Sequence, residues 1–341
     1  MQPREASHSV LTVGDFKGII AVARDRFHRC DLARFVAWRR YGWARTPEGA
    51  NEGDMDMIVV TGATGTIGSE LLRILAARGA KVKALSRHPP DAGALPGVEW
   101  VSADLAEREA LPSILAGAER LFLLTGNSED MVRLQKNAIA AAEKAGVGRV
   151  VKLSALGASD HSKSVIGVWH YNVERVLQAS DLAWTILRPH VFMQNLLDQR
   201  SSIMGEGKVY SPSGEAQIPM IDTRDIAAVA AATLTEAGHG GERYTLTGPE
   251  PISYREATAV LARALGRPLT YLPESYDEAW HRLHEAGLPP WHIGAQLALA
   301  SYQRQGAGTG ILTDTVEKIT GRPPRTFEAF ARDCAATLLG G

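Results

Sequence analysis

The strongest constraint on the fold is an alternation, over residues 57–187, of short apolar runs with longer segments of helical periodicity. Strands joined by helices need crossover connections, and parallel strands covered on both faces are continuously apolar in sequence. The pattern therefore predicts an α/β protein with a mainly parallel, doubly wound sheet and helices on both faces. The predicted strands are residues 58–60, 82–85, 98–101, 121–124, 150–153 and 184–187.

The second half of the chain has a looser rhythm. A stretch rich in Gly, Pro and Ser covers residues 205–219, and helical patterns follow at 224–235, 253–265 and 326–335. We expect these helices to form a smaller C-terminal α/β lobe. The predicted organisation is an extension at 1–56, a Rossmann-type core at 57–200 and the lobe at 201–341, with some segments of the lobe returning to the core.

The extension differs in composition from the rest of the chain. Arginines are scattered through it, and residues 19–43 show an amphipathic helical pattern. An arginine-rich helix suits a membrane surface or a partner. Alternatively, Met55 and Met57 stand directly before the first strand, which is where a later translation start would fall. The role of the extension stays open.

Composition excludes several classes of function. The formal net charge is −1, so the composition does not provide the positive electrostatic potential that attracts nucleic acid. Cys30 and Cys334 lie near opposite ends without metal-ligand spacing, and His281, His284 and Glu285 lack a third firm ligand, so we predict no disulfide and no metal. No apolar run approaches the roughly 20 residues that span a bilayer. We expect a cytoplasmic protein that acts on a small molecule, with monomer and homodimer equally open.

The glycine motif Gly62-x-x-Gly65-x-x-Gly68 follows the first strand directly and opens an apolar-periodic helix. In that setting the first glycine permits the tight turn, the second lets backbone approach a pyrophosphate, and the third lets helix and strand pack closely. The motif predicts a dinucleotide site, the alternative being a merely structural turn. The expected contacts are Gly62, Thr64, Gly65, Thr66, Ile67 and Gly68.

The end of the second strand selects between the two nicotinamide dinucleotides. An acidic residue there accepts hydrogen bonds from a free ribose 2′-hydroxyl, whereas this chain has Ser86 and Arg87. A guanidinium suits a 2′-phosphate, so NADP(H) is favoured over NAD(H). The alternative is an arginine that stacks on adenine, which leaves NAD(H) open.

Residues after the third and fourth strands are further candidates for cofactor binding. Asp104 and Leu105 are expected to border the adenine, and Thr125, Gly126 and Asn127 are expected to border the cofactor through their backbone. Helix capping is the alternative for Asp104 and Asn127.

Several segments together resemble the NmrA-like branch of the atypical short-chain dehydrogenase/reductases, over residues 57–338. They are Thr61-Gly-Ala-Thr-Gly-Thr-Ile-Gly68, Val151-Lys-Leu-Ser-Ala155, the stretch 184–195, Asp222-Thr-Arg-Asp-Ile-Ala227, Tyr244-Thr-Leu-Thr-Gly-Pro249 and the tail at 320–330. The resemblance implies a Rossmann core with NADP(H) along the carboxyl ends of its strands and a C-terminal substrate lobe. The branch includes quinone, azo-dye and triphenylmethane-dye reductases, and also nucleotide-sensing regulators without turnover.

The chain departs from this pattern at the expected catalytic residues. Relatives carry a serine and a Tyr-x-x-x-Lys; here Ser154 matches the serine, and His170-Tyr-Asn-Val-Glu174 replaces the second motif. We expect Glu174 to raise the pKa of His170 and keep a proton donor near neutrality, with Ser154 orienting the acceptor oxygen. An ordinary i,i+4 surface pair is the alternative. Both residues are expected beside an apolar helix stripe made of Val165, Ile166, Trp169, Val173, Val176 and Leu177.

The segment after the sixth strand is expected to close the cleft. Pro189 cannot continue a central strand, so a turn is predicted there, where backbone meets the nicotinamide carboxamide. Phe192, Met193 and Asn195 are expected to line the substrate pocket, plain core packing being the alternative for Phe192 and Met193.

The predicted function is hydride transfer from NADPH to a small electron-poor acceptor such as a quinone or an azo compound. Such an acceptor delocalises the developing charge, so placement of the cofactor supplies much of the catalysis. The alternative is a non-catalytic NADP(H)-sensing regulator that acts through a protein partner.

Overall fold

The computed structural model describes residues 56–90, 95–306 and 310–339. The predicted extension at 1–56 lies, apart from Asp56, outside the described residues. Between Ile58 and Leu339 the chain forms an α/β structure that confirms the predicted fold class.

A parallel sheet of seven strands forms the centre of the structure, in the order β3-β2-β1-β4-β5-β6-β8. This is the Rossmann order with one further strand at its edge. The strands are β1 (Ile58–Val60), β2 (Val82–Ser86), β3 (Val98–Ser102), β4 (Arg120–Leu123), β5 (Arg149–Leu153), β6 (Ala183–Pro189) and β8 (Glu242–Leu246).

Helices cover both faces of the sheet because successive strand residues point to opposite faces and both sets are apolar. On one face, α1 (Thr66–Ala77) packs on α6 (Thr223–Thr235). On the other face lie α2 (Leu111–Ile114), α3 (Met131–Ala145) and α4 (Val165–Ala179). The two buried clusters that result are separated by the sheet.

The C-terminal half supplies both core and lobe elements. Strand β8 and helix α6 belong to the large sheet, whereas β7 (Lys208–Ser211) pairs in parallel with β9 (Thr270–Pro273) in a separate two-stranded sheet. Helices α7 (Tyr254–Leu265) and α11 (Phe327–Leu339) share a second apolar core with the 3₁₀ helix Met193–Gln199 and α5 (Arg200–Gly205). This second core therefore begins before residue 200.

Three more helices complete the described chain. Helix α8 (Tyr276–Glu285) begins with a capping box between Ser275 and Glu278, α9 (Pro290–Arg304) packs on α8 and α4, and α10 (Thr315–Thr320) packs on α6. None of the helices in the described ranges is both long and apolar enough to cross a membrane.

Strand β6 is longer than predicted, because Pro189 is its last residue rather than the start of a turn. Pro189 pairs with Leu246 of β8, and its carbonyl accepts from the Leu156 amide at 2.9 Å. β5 ends at Leu153, so the ladder on that side no longer requires the N–H that proline lacks.

Candidate functional site

The turn between β1 and α1 depends on two of the motif's glycines. Gly62 has φ +62°, and a Cβ there would lie 2.9 Å from Leu124, the residue directly after β4. A Cβ on Gly68 would lie 2.1 Å from the Gly62 carbonyl oxygen, which no real side chain tolerates. The third glycine therefore sets how closely α1 approaches the strand it follows.

The start of α1 fits a bound pyrophosphate. Gly65 is its N-cap residue and has no side-chain capping bond, and the first turn contains no acidic side chain. The first amides of a helix without a cap are free to donate to an anion. Thr64, Gly65 and Thr66 are exposed in the turn. The Ile67 side chain is buried, so a ligand at this turn would meet only the backbone of Ile67.

An arginine without a partner among the described residues follows β2, the strand next to β1 in the sheet. Arg87 follows Ser86 and is exposed, and among the described residues it has no hydrogen-bond or ion-pair partner. The Ser86 hydroxyl oxygen accepts from the His88 amide at 3.2 Å, so its hydrogen is available to another group. A phosphate on an adenosine ribose meets a suitable pair of donors here.

Several of the candidates after β3 and β4 take part in local hydrogen bonds. The Asp104 carboxylate accepts from the Ala106 amide at 2.8 Å, which closes a turn rather than capping a helix. The Leu105 carbonyl accepts from Asn137, and Thr125 Oγ1 accepts from the buried Gln135. Gly126 and Asn127 are exposed, and Asp130 rather than Asn127 holds the N-cap position of α3. The capping alternative for Asn127 is therefore wrong.

A buried lysine lies near the carboxyl end of β5. Lys152 is 0 % exposed, and its Nζ donates to the Leu153 carbonyl at 2.9 Å and lies 3.1 Å from His170 Nδ1. Burial lowers the pKa of Lys152 to about 7, although the carboxylate of Glu174 opposes this shift. Lys152 was not among the predicted site residues. The sequence feature that could have identified it is a charged residue inside an otherwise apolar strand.

A second buried cluster adjoins it. Arg188 on β6 donates two hydrogen bonds to Glu174 on α4, one to each carboxylate oxygen. The Ser154 hydroxyl donates to Glu174 Oε1 at 2.5 Å. Arg243 on β8 approaches the same carboxylate at 3.9 Å. The Ser154 hydroxyl hydrogen is therefore engaged by Glu174, and the expected role of this serine in orienting the acceptor oxygen stays a prediction.

The predicted pairing of His170 with Glu174 is wrong. The part of the chain that the structure describes contains no hydrogen bond or ion pair between them, because Glu174 binds Arg188 instead. The pKa of His170 is lowered well below its usual value by burial, by Lys152 and by Arg188, whereas a rise was expected. His170 is thus a neutral imidazole rather than an imidazolium acid.

The buried face of α4 also differs from the predicted stripe. Its buried residues are Gly167, His170, Val173, Glu174 and Leu177. Trp169 is half-buried and packs on Trp291 of α9, with ring centroids 5.1 Å apart. Polar residues replace apolar ones at the centre of the face because Lys152, Ser154 and Arg188 lie beneath it and satisfy them.

The residues predicted to line a substrate pocket separate into different environments. Met193 is 1 % exposed and belongs to the second apolar core, so the core alternative describes it. Phe192 is half-buried against the core of the large sheet, and Asn195 is exposed. The Met193 and Ile221 amides donate to the Ile221 and Val191 carbonyls, which ties this segment to the 218–222 strand-like stretch.

Together the strand order, the glycine turn, the uncapped helix and the free arginine define a dinucleotide-binding α/β protein. The comparisons agree with this class. A family model described as NAD(P)H-binding matches residues 62–237. The chain belongs to this family, and its resemblance to the NmrA-like atypical short-chain dehydrogenase/reductases is confirmed.

Similar proteins match most of the chain. An NAD(P)H azoreductase of Xenophilus azovorans is 39 % identical over 284 residues, which are 83 % of this chain and 99 % of the relative. A (4-alkanoyl-5-oxo-2,5-dihydrofuran-3-yl)methyl phosphate reductase of Streptomyces griseus is 38 % identical over 82 % of this chain and 98 % of its own length. The NADPH complex of the Escherichia coli quinone oxidoreductase QOR2 has a similar structure, with a TM-score of 0.74, 28 % identity, and coverage of 83 % of this chain and 100 % of that one.

Proposed function

We propose that this protein is an NADPH-dependent reductase of small electron-poor acceptors, namely quinones or azo compounds. The observation that carries the proposal is an intact dinucleotide turn in a chain similar to an NAD(P)H azoreductase over nearly all of that enzyme's length. A cytoplasmic location belongs to the same proposal and is supported by two widely separated cysteines in the sequence.

The cofactor we propose is NADP(H) rather than NAD(H). The amides of residues 64–68 would receive the pyrophosphate, and Ser86 and Arg87 would receive the 2′-phosphate. Asp104 and Leu105 would border the adenine, and Thr125, Gly126, Asn127 and Pro189 would border the rest of the cofactor. When bound, NADPH supplies a hydride.

His170 is the proposed proton donor to the acceptor. The residue is 7 % exposed, and its Nε2 has no hydrogen-bond partner among the described residues. Since Nδ1 faces Lys152, Nε2 is the nitrogen free to donate to an acceptor oxygen or nitrogen. Ser154 and Glu174 act through position: Glu174 of α4 binds Ser154 and Arg188, and these polar contacts join α4 to the sheet. Phe192 and Asn195 remain the proposed acceptor contacts.

The test is NADPH oxidation by the full chain with a panel of naphthoquinones, benzoquinones and azo dyes. We expect acceptor-dependent oxidation, and we expect His170→Phe to lower kcat by about 100-fold with little change in the NADPH dissociation constant. Tyr171→Phe, one position along the same helix and half-buried, is the control and should retain wild-type kinetics.

Two results would contradict the proposal in different ways. NADPH binding without oxidation by any acceptor would replace the reductase with the NADP(H)-sensing regulator. Equal kinetics for the His170→Phe variant and the wild type would leave a reductase but remove His170 from its mechanism.

A further inference from the structure

The least expected feature of the described chain is a buried lysine in the central sheet that has no carboxylate partner among residues 56–90, 95–306 and 310–339. Lys152 is 0 % exposed, and the hydrogen-bond partners of its Nζ are the Leu153 carbonyl and His170 Nδ1. Burying a charge is costly unless an opposite charge is bonded to it. Glu174, the carboxylate whose charge acts on Lys152, is instead held by Arg188 and Ser154.

Three neighbouring elements contribute charged or titratable groups around the lysine. Helix α4 contributes His170 and Glu174, strand β6 contributes Arg188, and strand β8 contributes Arg243, whose Nε is 3.9 Å from Glu174. Burial and Arg188 favour the neutral amine of Lys152, and Glu174 favours the ammonium, so the pKa of Lys152 is about 7. The amine therefore changes charge in the pH range where a reductase works.

This contact fixes the tautomer of His170. The ammonium has only hydrogen atoms to offer, so Nδ1 must accept from it, and a neutral imidazole that accepts at Nδ1 carries its hydrogen on Nε2. The pKa of His170 is lowered well below its usual value, first by burial and then by Lys152, so the ring does not become a cation itself. A neutral imidazole can give up the Nε2 proton only if another proton reaches Nδ1.

We propose that Lys152 is the positioning and relay residue behind His170: it holds the ring as the Nε2–H tautomer and replaces the proton that the ring donates. This inference rests on the reductase function proposed above. In the step, the Nε2–H bond breaks as the proton joins the reduced acceptor, and an Nζ–H bond of Lys152 breaks as a new Nδ1–H bond forms.

The balance of this step matches the proposed reaction. A quinone that receives one hydride, which carries the electron pair of the reduced nicotinamide, becomes a hydroquinone after one further proton. An azo bond becomes a hydrazine in the same way. The relay delivers that one proton and leaves Lys152 as a neutral amine, which solvent then reprotonates through His170. A second acid is not required.

The relay predicts a pH profile that a purely structural lysine would not produce. It works when Lys152 is an ammonium, so kcat is constant below about pH 7 and falls about tenfold per pH unit above it. Lys152→Met keeps the length and apolar stem of the side chain but has no proton to pass. We expect about 100-fold lower kcat below pH 7 and loss of this inflection, with unchanged NADPH affinity.

Nitrogen NMR of the histidine rings provides a readout that requires no turnover. In the full chain labelled with ¹⁵N-histidine, we expect His170 to be neutral and protonated on Nε2 at about pH 6, below its ordinary pKa of about 6.5. In Lys152→Met we expect a mixture of tautomers. The His170→Gln spectrum assigns the signal, and Lys83→Met is the matched control, since Lys83 lies on β2 of the same sheet and donates to the Ile114 carbonyl at 3.3 Å.

The outcomes separate this proposal from the reductase function. If the wild type turns over acceptors but Lys152→Met keeps both its inflection near pH 7 and its tautomer, the relay is wrong and the reductase stands. If wild-type His170 carries its hydrogen on Nδ1, or is an imidazolium at about pH 6, the relay is wrong even where Lys152→Met does not fold. If no acceptor is reduced, the reductase function is wrong and the relay is wrong with it.

Discussion

Arg188 on β6 binds both carboxylate oxygens of Glu174 on α4, with Nε to Oε1 at 2.9 Å and Nη2 to Oε2 at 2.6 Å. The Glu174 side chain is only 1 % exposed and that of Arg188 is 17 % exposed. Because this pair occupies the carboxylate on both edges, the neighbouring Lys152 is left with a histidine and a backbone carbonyl. The charges of this pair therefore act, together with burial, on the pKa values of Lys152 and His170.

Removing the charge of Glu174 should destabilise the fold. Glu174→Gln leaves the half-buried Arg188 guanidinium without its counter-charge, and we expect the free energy of unfolding in urea to fall by about 3 kcal/mol. The control is Glu215→Gln, because Glu215 makes a similar two-pronged contact with Arg255 at a site where both side chains are more than half exposed. Its loss should stay below about 1 kcal/mol. Equal losses would show that burial is not what makes the first pair important.

Adding one methyl group to the glycine turn should disrupt cofactor binding. Gly68→Ala places a Cβ 2.1 Å from the Gly62 carbonyl oxygen, so α1 must move away from the strand. We expect a loss of about 1–3 kcal/mol in unfolding free energy and a weakened NADPH affinity, measured by fluorescence titration. Gly294→Ala in α9 is the control, since its new Cβ meets nothing within 4 Å. Unchanged NADPH affinity in Gly68→Ala would remove this turn from the cofactor site.

The charge at the end of β2 should decide which dinucleotide binds. Arg87→Ala should weaken NADPH binding by about 10- to 100-fold, as expected for loss of a charge-assisted hydrogen bond, and leave NADH binding almost unchanged. Arg73→Ala is the control, because Arg73 lies on α1 and is paired with Glu70 at 2.9 Å. Parallel losses for both dinucleotides would assign Arg87 to the adenine rather than to the 2′-phosphate.

The stability of the protein should depend on pH through Lys152. Its pKa is about 7 in the fold and near the ordinary 10.5 when unfolded, so the unfolded chain binds more protons between these values. The free energy of unfolding should therefore rise with pH across this window, by up to about 1.4 kcal/mol per pH unit. Urea titrations at about pH 7, 8 and 9 should show a slope that is smaller in Lys152→Met. Equal slopes in the two proteins would mean that Lys152 keeps its ordinary pKa.

Much of the fold could be predicted because its signals are local. Strand runs such as Val82–Ser86 need only an apolar stretch between turns, and the Gly62–Gly68 turn requires small residues at fixed positions along one segment. The extra length of β6 could not be predicted, because it depends on residues that are distant in the sequence. Whether Pro189 is tolerated depends on where the neighbouring strand ends, which is a property of two strands and not of one.

The contacts of His170 and Glu174 could not be predicted from the sequence. His170 and Glu174 are four residues apart on α4, and that spacing alone predicts that they pair. Burial reverses the outcome, because each side chain binds the strongest complementary group that the sheet places beneath it: Arg188 from β6 for the carboxylate and Lys152 from β5 for the imidazole. The linear chain thus specifies the helix, the strands and the dinucleotide turn through short-range geometry. The protonation state of the candidate catalytic histidine depends on which distant strands are neighbours, since only packing brings those charges together and removes the water that would screen them.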